Sequence, residues 1–198
     1  MRKGRKFLRV IAGSAKKRRL KSPGKLPVRP TSDRVKEALF NIIGNLVPGS
    51  EFADLFAGTG GVGLEALSRG ARRAVFVESN PQVARILKEN ITLTGLWEGS
   101  EIIRRDVVTA VEFMQRRGDK FDIIFADPPY RQGLAGLTLN TLCKYPVLCQ
   151  GGVLVIEIGA GEAAPEKAGS YYMVRREKYG DTALLFYKHS SEGDKFCE

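Results

Sequence analysis

With 198 residues, 43% of them hydrophobic and 27% charged, the chain has the size and composition of one globular domain with a single substantial core, and no apolar run is long enough to span a bilayer. Its net charge of +10 is concentrated in residues 1–36, where 14 Lys or Arg face one acid, Asp33, for +13, while the other 162 residues carry 18 bases against 21 acids, for −3. The cysteines Cys143, Cys149 and Cys197 are odd in number and form no metal-ligand spacing, which argues against a metal site and suits a reduced cytoplasm.

The first 20 residues are basic yet lack the apolar stretch of about 7–15 residues that marks a secretory signal. Residues 1–30 read as a basic extension, and Arg2, Lys3, Arg5, Lys6, Arg9, Lys16, Lys17, Arg18, Arg19 and Arg29 are its candidate contacts to nucleic-acid phosphate. The interleaved Phe7, Leu8, Val10 and Ile11 predict a strand or hairpin docked on the domain, not a wholly solvated tail. Val35, Ala38, Leu39, Ile42 and Ile43 then mark an amphipathic helix, with Thr31 or Ser32 as cap and Gly44 as stop. Residues 51–56 form a short buried strand, Ala57 to Gly63 a glycine loop, and a helical pattern follows from Leu64. Strands are predicted at 74–78, 101–106, 121–126 and 152–157, with helices from about Ser79 to Leu93, from Val107 to Met114 and from Leu134 to Leu148. Two antiparallel strands, 171–178 and 182–188, close the chain, and 189–198 reads as a tail that leaves His189 no catalytic role. Alternating strand and helix ending in a hairpin predicts an α/β domain over 31–188, with a mostly parallel, doubly wound sheet and one reversed strand near the carboxyl end.

Strand, glycine loop and helix in succession make the turn of a nucleotide-binding sheet, where backbone must approach a ligand closely. Gly58, Gly60 and Gly63 satisfy the dinucleotide fingerprint, and Glu78 lies about 20 residues on, as a ribose-binding acid does. Asp54 points to a different cofactor. A carboxylate inside that strand is costly unless a cation or hydrogen-bond donor meets it, and the ammonium of S-adenosylmethionine would do so; the alternative is a cap on nearby backbone N–H groups. Asp106 ends its own strand and either accepts from an adenine amine or caps the next helix. Phe56, Gly58, Thr59, Gly60, Ser79 and Val107 complete the expected cofactor site around Asp54, Glu78 and Asp106.

Behind the apolar run 121–126 stands Asp127-Pro128-Pro129-Tyr130. The carboxylate and a backbone carbonyl can each accept from an exocyclic amine, proline holds those acceptors on a rigid frame, and Tyr130 can stack on an unpaired base. These four are the expected catalytic residues. The predicted carboxyl ends of four strands therefore carry Asp54, Glu78, Asp106 and Asp127, the edge at which doubly wound sheets bind ligands.

The Asp54-Leu55-Phe56-Ala57-Gly58-Thr59-Gly60 stretch, followed some 70 residues on by Asp127-Pro128-Pro129-Tyr130, resembles the class I, Rossmann-like methyltransferases that modify exocyclic amines. Arg9 to Gly13, Arg18-Arg19-Leu20 and the run Arg29 to Asn41 are similar to the RsmD family, and the resemblance runs from about Arg9 to Lys188. One departure is visible: where that family usually shows G-x-W-[RK]-G-[RK], this chain reads Gly13-Ser14-Ala15-Lys16-Lys17-Arg18, without the aromatic. The resemblance implies methyl transfer from S-adenosylmethionine to the N2 amine of a guanine in small-subunit ribosomal RNA. The expected enzyme is cytoplasmic and monomeric, and the resemblance implies that it acts on RNA within an assembled or assembling subunit. Other acceptors for the same tetrapeptide are a DNA adenine, another RNA or a protein glutamine. A dinucleotide-dependent oxidoreductase would use the glycines and Glu78 alone, and a non-catalytic RNA-binding protein only the basic arm.

Overall fold

The computed structural model describes residues 8–24, 26, 31–130 and 132–190. Among these, five α-helices and eight strands follow one another as α1 (Asp33–Ile43), β1 (Glu51–Asp54), α2 (Gly63–Ser68), β2 (Arg73–Val77), α3 (Pro81–Thr94), β3 (Ser100–Ile103), α4 (Val107–Arg117), β4 (Phe121–Ala126), α5 (Leu134–Lys144), β5 (Leu148–Gly159), β6 (Lys167–Ala168), β7 (Tyr171–Tyr179) and β8 (Thr182–His189). The strands make one sheet in the order β3-β2-β1-β4-β5-β8-β7-β6. β1 to β5 are parallel neighbours. β8 enters antiparallel beside β5, and β7 and β6 extend that edge, each antiparallel to its neighbour.

Strands buried on both faces read as near-continuous apolar runs, and here they divide by parity along each strand, except that Phe121, ahead of the register shift in β4, joins the face of Ile124. Phe52, Phe76, Ile123, Phe125 and Val155 share one core with α1, α2 and α3. Ala53, Val75, Ile124, Leu154 and Ile156 share the other with α4 and α5.

Several boundaries differ from the sequence reading for local reasons. The predicted helix 134–148 ends at Lys144, because Pro146 disfavours helix at Tyr145, whose ψ is 83°. Leu148 instead opens β5, opposite Phe121. The strand predicted at 101–106 closes at Ile103. His189, assigned to the tail, ends β8 and packs edge-on against Tyr171 with ring centroids 5.2 Å apart; the tail beyond residue 190 lies outside the described residues. Ser32, not Thr31, caps α1, accepting from the Val35 N–H. The buried stripe of α1 is Val35, Lys36, Leu39, Phe40 and Ile43, rotated so that a lysine points inward.

That rotation belongs to the basic extension. Residues 8–20 form a hairpin, with Val10 N–H to Arg18 carbonyl at 3.0 Å and Leu20 N–H to Leu8 carbonyl at 2.8 Å. Val10, Ala15 and Leu20 are buried in the core that α1, α2 and α3 share. Lys36 Nζ donates to the Arg9 carbonyl at 2.7 Å. Glu65 of α2 accepts the Ile11 and Ala12 N–H groups at 2.7 and 2.9 Å, and Ser68 Oγ accepts the Ala15 N–H at 2.9 Å. Gly13, at φ 81°, runs so close to α2 that a Cβ there would stand 1.7 Å from the Ser68 carbonyl oxygen.

Candidate active site

Strand order reverses between β1 and β4, since β2 and β3 lie on one side of β1 and β4 and β5 on the other. Connections leaving such a pair diverge and open a crevice at the carboxyl ends of the strands. A cavity of about 590 Å³ occupies that place. Asp54 reaches it from the last residue of β1, Glu78 from the exit of β2, Asp106 from the start of α4, and Asp127 from the exit of β4.

The loop after β1 folds back under the cavity, with the Ala57 N–H donating to the Val77 carbonyl at 2.9 Å. Phe56, Gly58 and Thr59 line the wall, as do Ser79 and Val107. Gly60 does not line it; a Cβ there would meet the Leu87 side chain at 2.5 Å, so this glycine lets the loop lie directly on α3.

Asp54 is 1% exposed. Its Oδ2 accepts the Gly63 N–H at 3.1 Å, which satisfies the capping alternative, while Oδ1 has no hydrogen-bond partner among the described residues. Burial pushes its pKa up to about 7, against the pull of the Gly63 and Phe56 N–H groups. Burial also raises Glu78, opposed by the backbone N–H groups of Asn80, Gly58 and Ser79; the Asn80 N–H donates to Glu78 Oε1 at 2.7 Å. Asp106 is exposed and caps α4, taking the Thr109 hydroxyl at 2.6 Å and the Thr109 N–H at 3.0 Å. Those bonds hold its carboxyl below the usual range.

All four residues of the tetrapeptide border the same cavity. Pro128 is buried and Pro129 exposed. The Tyr130 hydroxyl donates to Glu157 Oε1 at 2.9 Å and lies 3.2 Å from Thr182 Oγ1, so β5 and the reversed strand β8 tie down its ring. Burial raises the phenol pKa, and the charges of Glu157 and Asp127 add to it. Thr31 donates to Asp127 Oδ2 at 3.4 Å.

Thr31, Glu157 and Thr182 were absent from the sequence-derived site. Glu157 closes an apolar run in the manner of Asp54 and Glu78, and the same signal would have found it. Thr31 carried only a capping signal, and Thr182 none. Of the arm, Arg9, Lys16, Lys17, Arg18 and Arg19 are exposed on the hairpin; Arg2, Lys3, Arg5, Lys6 and Arg29 lie outside the described residues.

The family described as conserved hypothetical protein 95 matches residues 8–188. The chain belongs to this family, the RsmD family. Its RsmD relatives include YlbH of Bacillus subtilis, 38% identical over 181 residues that cover 91% of this chain and 98% of that protein. Ribosomal RNA small subunit methyltransferase D of Escherichia coli K12 is 32% identical over 187 residues, covering 94% and 92%. Among solved structures, hypothetical protein TTHA0928 of Thermus thermophilus matches with a TM-score of 0.79 at 33% identity, covering 91% of this chain and 98% of that one. An RNA methyltransferase from Salinibacter ruber, solved with S-adenosyl-L-homocysteine, shares the fold at a TM-score of 0.64 and 16% identity, covering 86% and 100%. The RsmD chain thus has the class I methyltransferase fold.

Proposed function

We propose that this chain transfers a methyl group from S-adenosylmethionine to the exocyclic N2 amine of a guanine in small-subunit ribosomal RNA. The observation that carries the reading is the shared cavity at the β1/β4 switch, which Asp54, Glu78 and Asp127 to Tyr130 all border. The naming of the Escherichia coli relative as a small-subunit ribosomal RNA methyltransferase supports the substrate class, and the guanine amine follows from RsmD membership. A dinucleotide-dependent oxidoreductase leaves the tetrapeptide and the hairpin without a task, and it is not retained.

The residues fit the cofactor. Asp54, with a buried carboxylate oxygen lacking a partner among the described residues, suits a cationic ammonium. Glu78 receives the ribose hydroxyls, Asp106 the adenine amine, and Phe56 and Val107 give apolar contact. The backbone of Gly58 and Thr59 with Ser79 completes the cradle. Bound there, S-adenosylmethionine supplies an electrophilic methyl group on its sulfonium. The protein's part is to hold the acceptor. Asp127 and the Pro128 carbonyl accept hydrogen bonds from the amine and so turn its delocalised lone pair out of conjugation. The carboxylate also stabilises the positive charge that develops on nitrogen. Tyr130, its hydroxyl fixed by Glu157 and Thr182, offers a ring on which an unpaired base can stack.

The arm's exposed cations hold RNA phosphate. The enzyme works in the cytoplasm as a monomer, on RNA within an assembled or assembling subunit. The test is transfer of labelled methyl to small subunits from cells lacking the gene, with naked RNA and DNA alongside. Label is expected as N2-methylguanine at one subunit site, and Asp127→Ala is expected to lower turnover by more than about 100-fold while S-adenosylhomocysteine affinity stays within a few fold. Absence of label on RNA in any form rejects the ribosomal reading.

A further inference from the structure

Three polar side chains with no solvent exposure, Lys36, Glu65 and Asn90, come from α1, α2 and α3. All three bond the backbone of the amino-terminal hairpin or of its exit. A solvated basic arm would need no such anchorage, because buried polar groups are costly unless every partner is in place. The hairpin is therefore seated rigidly, and its seat adjoins the loop beneath the cavity.

Asn90 makes both contacts. Its Oδ1 accepts the Lys21 N–H at 2.7 Å, and its Nδ2 donates to the Lys21 carbonyl at 3.1 Å and to the Thr59 carbonyl at 2.9 Å. One buried amide thus engages both backbone groups of the hairpin's exit as a neighbouring strand would, and also holds the glycine loop at a cavity-lining residue. One turn earlier on α3, Leu87 packs against Gly60 of that loop. On the other side, Asp54 holds the Gly63 N–H at the start of α2, and α2 carries Glu65 to the hairpin. A displaced hairpin exit strips Asn90 of two bonds and loosens the third. A displaced loop does the reverse.

We infer that Asn90 is a positioning residue that couples the hairpin to the glycine loop, so that cofactor in the cavity stiffens the hairpin and nucleic acid on the hairpin tightens the cofactor. Linkage requires the cofactor to raise nucleic-acid affinity by the same factor by which nucleic acid raises cofactor affinity. The inference rests on the proposed cofactor reading, and its test separates the two. Amide hydrogen exchange is followed with and without saturating S-adenosylhomocysteine, at times when the β5 amides remain fully protected, so that only local opening is counted. Saturation is verified by calorimetry.

Exchange at Val10, Lys17 and Leu20, whose N–H groups bond within the hairpin, is expected to slow at least about fivefold in the wild type. In Asn90→Ala, and in Lys21→Pro, which removes one donor to Asn90 but leaves the bond to Thr59, the slowing is expected to fall below about twofold with ligand still bound. Lys21→Pro keeps the test open should Asn90→Ala fail to fold. Unchanged hairpin exchange in the wild type, or equal slowing in a folded variant, overturns the coupling. No binding of S-adenosylhomocysteine to the wild type, by calorimetry at two temperatures and by equilibrium dialysis, removes the cofactor reading and the coupling with it.

Discussion

Asp54 is an acid whose folded-state pKa lies far above its unfolded value, near 7 against 3.8. Between those values the folded chain binds more protons than the unfolded one, so the contribution of Asp54 to stability is greatest below pH 4 and is lost as the pH rises through 7. Asp54 accordingly contributes least to the stability of the ligand-free protein where its carboxylate is charged. Asp54→Asn keeps an oxygen for the Gly63 N–H and removes the charge. It is expected to stabilise the ligand-free protein at pH 8 by about 1–4 kcal/mol and to leave it nearly unchanged at pH 4. The same variant is expected to bind S-adenosylhomocysteine at least about tenfold more weakly at pH 8, and wild-type affinity is expected to climb between pH 6 and 7.5. Urea melts and calorimetry at both pH values check this. A variant equally stable at pH 8 overturns the raised pKa, and one with undiminished affinity removes the carboxylate from the cofactor's ammonium. A buried acid at the end of β1 was legible in the sequence; its division of labour, one oxygen for the Gly63 N–H and the other without a partner among the described residues, was not.

Among the elements, the hairpin has the most demanding seat. Gly13 has both a positive φ, 81°, and no space for a Cβ beside the Ser68 carbonyl. Gly13→Ala must push the hairpin off α2, breaking the bonds of Ile11 and Ala12 to Glu65 and leaving that carboxylate partly unsatisfied. The expected cost is about 2–4 kcal/mol in urea unfolding, with weaker binding to small subunits. A loss under about 0.5 kcal/mol would mean that the hairpin is not held as described. The apolar residues of the arm announced a docked hairpin, but not the partners that receive it. Lys36 shows why: at its position in α1 the spacing rule predicts a solvent-facing lysine. Only the approach of the Arg9 carbonyl and the nearby acids Asp33 and Glu65 makes its burial tolerable, and even so burial lowers its pKa. Helix α5 is a simpler case, because Pro146 marks its end and the reading extended the helix past it.

For the molecule as a whole, charge and fold have separate tasks. A near-neutral α/β body carries the cavity, while the exposed cations Arg9, Lys16, Lys17, Arg18 and Arg19 cluster on one hairpin. Arg9 also pairs with Asp33 at 3.2 Å, an exposed bridge worth little by itself. If Lys16 and Lys17 meet phosphate, the double variant Lys16→Ala, Lys17→Ala is expected to lower the slope of log affinity against log salt for small subunits by about 1–2. Turnover at saturating substrate stays near wild type. An unchanged slope in filter binding between 50 and 200 mM salt, roughly the range over which such contacts tell, would detach these lysines from RNA.

Apolar runs buried on both faces, glycines behind the first of them and acids at their ends follow from local chemistry and the period of a strand, so the fold class was visible in the order of residues, as were the acids and the tetrapeptide that border the cavity. Asp54, Glu78, Asp106 and Asp127 could be placed on one edge because parallel strands all end on the same side. What Thr31, Glu157, Thr182 and Asn90 do depends on which distant segments lie beside them. The crossing of β8 next to β5 brings Thr182 to Tyr130, and the docking of the hairpin on α3 brings Lys21 to Asn90. Such contacts join residues far apart in the chain, with no periodicity to announce them, and are set only when the sheet and its helices close around one core.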